Sequence, residues 1–88
     1  MNISKEEQRV LHVLAQGGQI RHKRGPNGRI IAADCLTHDG ALLMDCTLQI
    51  VIKLRRKRLI ESHASSPYRI SATGRRAVRS QADNRTLR

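Results

Sequence analysis

Tyr68 is the only aromatic residue in this chain of 88, which has no Phe and no Trp. Its core has to be assembled from Leu, Ile, Val and Ala, and these come in short blocks separated by turn residues. A chain this short buries only roughly 60–65% of its unfolded surface, so one domain with a small core is expected. Without large rings to line it, a deep small-molecule site is not expected, and neither is a cofactor.

The blocks and their punctuation predict an order of elements. Ser4 stands three residues before Glu7, the signature of a capping box. Glu6 and Glu7 also suit the positive end of a helix dipole. Val10, Val13 and Leu14 recur at helical spacing with Leu11 beside them, which predicts a helix over 4–16. Gly17-Gly18 ends it. Gly25-Pro26-Asn27-Gly28 is a dense turn signal between candidate strands at 19–23 and 29–36. His38-Asp39-Gly40 marks a second turn before a third short strand at 41–44. Thr47, Ile50, Val51 and Leu54 share one face of a helix over 47–57, capped by Asp45 or Thr47. Residues 59–61 and 68–71 read as two short strands around the loop 62–67. Ser71 caps a last helix over 72–81, which Gly74 weakens by about 1 kcal/mol relative to Ala.

This order is helix, hairpin, helix, hairpin, helix, an α+β arrangement. From the second helix onward it looks like a winged-helix core, in which that helix is the recognition element and the hairpin is the wing. A small β-meander inserted between the first two helices departs from the usual pattern. The single domain spans 1–82, and 83–88 is a polar C-terminal tail.

Seventeen Lys and Arg stand against seven Asp and Glu, a formal charge of +10. Such a surface attracts nucleic acid, acidic protein faces or anionic lipid, and repels itself. The sharpest local feature is Lys53-Leu54-Arg55-Arg56-Lys57-Arg58. Gln49, Lys53 and Arg56 would point out of the helix together, as residues contacting phosphates and base edges do. Equally, cations at a helix end suit its negative dipole without any ligand. A second basic set is Arg21, Lys23, Arg24 and Arg29 around the first hairpin. A third is Arg69, Arg75, Arg76 and Arg79. No aromatics interleave with them, so single-strand stacking is not expected.

The N-terminus is polar and has no apolar h-region, and no apolar run approaches the ~20 residues that span a bilayer. A cytoplasmic protein with no membrane partner is expected, with Cys35 and Cys46 as reduced thiols. Cys35, His38, Cys46 and His63 lack the two tight pairs of a structural zinc site, so no metal is expected. A nuclease would recruit His12, His22 or His63 as general acid or base. The acidic residues form no two-metal cluster, and no catalytic residue is assigned.

Several stretches, taken in order, resemble one family. They are Glu7-Gln8-Arg9, Leu11-His12-Val13-Leu14-Ala15, Gly17-Gly18, Asp45-Cys46-Thr47-Leu48, the Lys- and Arg-rich helix to Leu59-Ile60, Pro67-Tyr68-Arg69-Ile70-Ser71, Thr73-Gly74 and Asp83-Asn84-Arg85. The chain is similar nearly end to end to the TopAI (YjhX-type) toxins. The resemblance implies a toxin of a toxin–antitoxin pair that binds DNA topoisomerase I and blocks DNA relaxation. It implies a cognate antitoxin of acetyltransferase type. It supplies no binding residues, so the candidates rest on charge: Gln49, Lys53, Arg55, Arg56, Lys57, Arg58, Arg21, Lys23, Arg24, Arg69, Arg75 and Arg76.

The expectation is therefore a non-enzymatic, winged-helix-like inhibitor. A winged-helix DNA-binding regulator reading sequence through Gln49, Lys53 and Arg56 is the alternative, and an RNA-cleaving toxin is a third.

Overall fold

Helix α1, Lys5–Ala15, begins where its cap requires. The Glu7 amide donates to Ser4 Oγ at 3.2 Å, and the Ser4 amide donates to Glu7 Oε1 at 3.0 Å. Two of the free amides at the helix start are thereby satisfied. At the other end the Gly17 amide donates to Leu14 and the Gly18 amide to Val13, each at 3.1 Å. This double closure needs a left-handed residue, and Gly17 supplies it at φ +103°. The computed structural model describes the backbone of residues 2–64 and 66–86, and their side chains as far as Arg79.

Strands β1 (Gln19–Arg24), β2 (Ile30–Leu36) and β3 (Leu42–Leu43) form an antiparallel sheet in that order. Ile20 faces Cys35, and Cys35 faces Leu43 on its other side. The Gly28 amide donates to Gly25 at 3.0 Å to close the first turn. Thr47 caps helix α2, Leu48–Arg56, by accepting the Ile50 amide at 3.3 Å. Strands β4 (Ile60–Glu61) and β5 (Arg69–Ile70) form a second antiparallel pair, and helix α3, Ala72–Thr86, follows. The two sheets are joined by one bridge. Ile20 and Tyr68 exchange backbone hydrogen bonds of 2.9 and 2.8 Å.

The order of elements agrees with the sequence pattern, and the chain is a small α+β unit with antiparallel sheets. Details differ. α3 runs past the predicted end at Gln81 into the polar stretch, and residues 87 and 88 of the expected tail lie outside the described ones. In α1, Leu11 is fully buried beside Val10 and Leu14, whereas Val13 is half-buried. These three residues meet Ile20, Cys35, Val51, Leu54, Leu59 and Ile60 in one core, with Tyr68 at its side. Each such aliphatic side chain contributes about 1.5–3 kcal/mol by leaving water.

Two backbone positions carry this packing, and neither is obvious from composition. α2 ends with the same double closure as α1: the Arg58 amide donates to Arg55 and the Leu59 amide to Leu54, each at 3.0 Å. Here the left-handed residue is Arg58, at φ +60°. It strains because an L side chain crowds the following carbonyl. The reward is that Leu59 folds back onto Leu54, and both are fully buried. The second position is Gly74 in the first turn of α3. A Cβ there would stand 2.3 Å from the Leu59 carbonyl oxygen and 2.7 Å from Ile70 Cγ1. Ser71 seats that turn, since its Oγ accepts the Gly74 amide at 3.0 Å and donates to the Arg58 carbonyl at 2.7 Å. Gly74 is thus required by close approach, and its low helix propensity is secondary.

Arg58→Gly is expected to raise stability by about 1 kcal/mol by relieving the left-handed strain. Gly74→Ala, which helix propensity alone would favour, is expected to lower it by about 1–3 kcal/mol through the clash. Urea denaturation of both variants checks the pair, and a stabilising Gly74→Ala would contradict the packing described.

Candidate interaction surface

α2 turns Val51 and Leu54 inward; Gln49, Lys53 and Arg56 share the opposite side, Arg55 lies beside the buried face, and all four are exposed. α2 contains no acidic residue, so these cations have no partner within the helix. They lie where the sequence pattern put them.

Lys57 does not join them. Its Nζ lies 2.9 and 3.0 Å from the two Glu7 carboxylate oxygens and 2.6 Å from the Asn2 carbonyl oxygen. Glu7 is 2% exposed. Closing the capping box draws its carboxylate into the interior, where an unpaired charge is costly. Lys57, four residues after Lys53 but turned toward α1, supplies the counter-charge. Burial raises the Glu7 carboxyl. Hydrogen bonds from the Ser4 amide, Lys57 and the Ser4 hydroxyl, with the Lys57 charge, outweigh it and hold the pKa below the ordinary value. Lys57 is therefore a structural partner and not part of the exposed set. Arg58 is exposed but lies on the strained turn after α2.

In the hairpin, Arg21, Lys23, Arg24 and Arg29 are exposed. Arg21 sits across from Asp34 in the β1–β2 register. Arg24 is held in place: Nη1 donates to the Gly28 carbonyl at 2.7 Å and Nη2 to Tyr68 Oη at 3.4 Å. Behind it, the His22 ring packs on Tyr68 with centroids 4.7 Å apart. Burial pushes the His22 imidazole below its ordinary value, and the charges of Arg24 and Arg55 push it the same way. His22 Nδ1 is buried and has no hydrogen-bond partner among the described residues. The charge argument missed His22 and Tyr68 as members of a site. The two-residue strand period was the available signal, since it places His22 on the same side of β1 as core residue Ile20.

The third basic set is spread out. Arg69 Nη1 donates to the Gly17 carbonyl at 3.3 Å, at the end of α1, while Arg75, Arg76 and Arg79 line α3. Arg76 Nη2 donates to Thr73 Oγ1 at 3.3 Å. Elsewhere Arg9 pairs with Asp45 at 2.8 Å, an exposed bridge of little energetic weight.

The histidines of the nuclease reading lie on different elements. His12 is on α1 and His22 on β1, and His63, in the loop after β4, has Nε2 3.6 Å from the Glu61 carboxylate. Among the described residues no three His, Cys, Asp or Glu are grouped to hold a metal ion. Cys35 and Cys46 are both free thiols. They share a proton environment. A hydrogen bond from Cys46 lowers the Cys35 pKa, and that same contact, with burial, raises Cys46. No helix among the described residues is long and apolar enough to cross a membrane.

Residues 1–85 match the family described as "putative toxin of bacterial toxin-antitoxin pair". The chain belongs to this YjhX toxin family. A UPF0386 protein of Beijerinckia indica is 69% identical over 85 residues, covering 97% of this chain and 100% of its own. UPF0386 proteins of Ruegeria and Brucella anthropi are each 61% identical, with the same coverage of both chains. No solved structure matches the chain. As a member of a toxin–antitoxin family, the protein has an antitoxin partner.

Two outcomes follow from this geometry. Lys57→Met strands the Glu7 carboxylate and is expected to cost about 2–4 kcal/mol, less than at a fully buried pair because Lys57 keeps some water. Adding Glu7→Gln should recover much of that loss, as a double-mutant cycle by denaturation would show. For His22, the folded state holds the proton less readily than the unfolded chain, whose ordinary value is 6.5. Its contribution is therefore complete above that value and declines as pH falls below it. Unfolding midpoints measured from about pH 8 down to about pH 5.5 should drop, and His22→Gln should flatten the slope.

Proposed function

We propose that this toxin acts by binding, without catalysis of its own, and that its target is bacterial DNA topoisomerase I. The outward cations of α2 carry this reading. Lys53, Arg55 and Arg56 are all exposed on a helix with no acidic residue, on a chain of charge +10. Such a surface suits the acidic face of an enzyme that itself handles a polyanion, or competes for that polyanion. Either route blocks relaxation in the cytoplasm. The antitoxin of this pair is of acetyltransferase type in the same reading, which rests on the resemblance of the chain to the TopAI toxins.

A second reading has its own observation. α2 is followed directly by the short β4–β5 hairpin and then α3, the order of a recognition helix and wing. A winged-helix regulator would read DNA through Gln49, Lys53 and Arg56.

Relaxation of supercoiled plasmid by topoisomerase I, titrated with the protein at several plasmid concentrations, separates these readings. Inhibition at stoichiometry with the enzyme and insensitive to added plasmid is expected. The variant Lys53→Gln/Arg55→Gln/Arg56→Gln should lose inhibition while its circular dichroism is unchanged. Full inhibition by that folded variant would move the contact off α2. Inhibition that excess plasmid removes would make DNA the ligand and the regulator reading the better one.

A further inference from the structure

We propose that the β1–β2 hairpin is an arm that binds duplex DNA in the minor groove, with Ile31 as an apolar wedge between base steps. From Arg21 to Ala33 the chain holds the cations Arg21, Lys23, Arg24 and Arg29 and no carboxylate. All four cations are exposed. Asp34 stands opposite Arg21 at the base of the hairpin, so the excess charge lies toward the turn.

Ile31 is the feature that charge does not explain. The strand register passes from Lys23 opposite Ala32 to Arg24 opposite Ile30, and Ile31 is skipped. Ile31 is 53% exposed, whereas Ile30 beside it is 7% exposed. Irregularities of this kind re-aim a side chain. Gly25 leaves room for it, since a Cβ there would stand 3.1 Å from Ile31 Cγ2. A large aliphatic side chain held in water among cations is unfavourable in the free protein. An apolar wedge accompanied by Lys and Arg is how minor-groove proteins unstack a base step and bend the duplex around themselves.

The turn is built before any ligand arrives. The Gly25 amide donates to the Arg29 carbonyl at 2.8 Å, and the Gly28 amide to the Gly25 carbonyl at 3.0 Å. The Arg29 amide donates to Asn27 Oδ1 at 3.3 Å. Arg24 is held by the Gly28 carbonyl and Tyr68 Oη, at 2.7 and 3.4 Å. Little of the backbone is left to order on binding. The occupant follows from shape and composition. Tyr68, the one aromatic residue, is 4% exposed, so unpaired bases find no ring to stack on. A-form RNA offers a deep, narrow groove and a shallow one, and neither grips such an arm. A groove with phosphates along both rims and stacked bases at its floor matches cations on either side of one apolar side chain.

The arm and α2 are different elements, so the inference does not rest on topoisomerase I as the target. A molecule docked on an enzyme through α2 would keep the arm free for DNA.

The test uses the full chain without any enzyme. Its probe is a duplex of about 20 base pairs with a central TA step, which kinks readily, and a fluorophore at each end. Anisotropy reads binding, and energy transfer between the ends reads bending. The protein should bind with a steep salt dependence and bring the duplex ends closer. Lys23→Gln and Arg29→Gln should each lower the slope of log K against log salt by about one. Ile31→Ala should keep that slope and lose the bend. Lys5→Gln, on α1, should leave the bend in place. Unchanged circular dichroism certifies each variant as folded.

No binding to the duplex would overturn the proposal. So would a salt slope that the double variant Lys23→Gln/Arg29→Gln retains, or a bend that folded Ile31→Ala retains. Poly-glutamate that displaces the duplex as well as unlabelled DNA does at equal charge would overturn DNA as the occupant, and so would an RNA duplex bound and bent equally. Inhibition of topoisomerase I plays no part in these readouts, so either reading can fail alone.

Discussion

The exchange of hydrogen bonds between Ile20 and Tyr68 is the joint on which the molecule turns. It links residues 48 apart and is the bridge between the three-stranded sheet and the β4–β5 pair. It sets β1 directly against the second half of the chain. Tyr68 sits against the core, the His22 ring lies on Tyr68, and Arg24 finds the phenol oxygen. In a chain with one aromatic residue, that residue has been placed where two sheets meet. It fills space there that aliphatic side chains alone would leave open, and its polar end reaches a partner.

A second constraint is charge. Seven acidic residues cannot neutralise seventeen cations, so where the few carboxylates go decides where the excess is displayed. Glu7 is spent inside, on Lys57 and the α1 cap. Asp45 is paired with Arg9, and Glu61 lies beside His63. α2 itself carries no acidic residue, and in the first hairpin Asp34 stands opposite Arg21. The self-repulsion that remains is a standing cost in the isolated protein. Any acidic protein face or phosphate backbone would remove part of it on binding.

Much of the fold was legible because the local signals agree with one another. Ser4 with Glu7, Thr47 before an apolar face, and the paired glycines after Ala15 each name a helix boundary with a mechanism. All three stand in the structure as read. What was not legible depends on contacts between distant segments. Nothing near Arg58 announces a left-handed residue. Its conformation is imposed by the gain from seating Leu59 on Leu54. Gly74 looks like a weak helix residue until the Leu59 carbonyl is placed against it. Lys57 looks like one more cation in a run of five until Glu7, fifty positions earlier, is found beneath it. For the surface, charge counting singled out α2, whose Lys53, Arg55 and Arg56 are exposed. It could not tell that Arg24 is held by Tyr68 and the Gly28 carbonyl while Arg69 and Arg76 are drawn into local hydrogen bonds.

The division of labour within the basic run is the most informative of these differences. Helical geometry turns successive residues by about 100°, so a continuous run of cations must point to several sides at once. In this chain one direction is taken by the interior. Lys57 faces α1 and helps fasten α2 to it, while Lys53, Arg55 and Arg56 face outward. Arg58 lies on the turn that brings Leu59 back to the core. The same six residues therefore hold the helix in place and present its charge. A variant that neutralises the whole run would confuse loss of folding with loss of binding. Only a substitution confined to Lys53, Arg55 and Arg56 separates the two, because Glu7 keeps its partner and the Leu54–Leu59 closure is untouched.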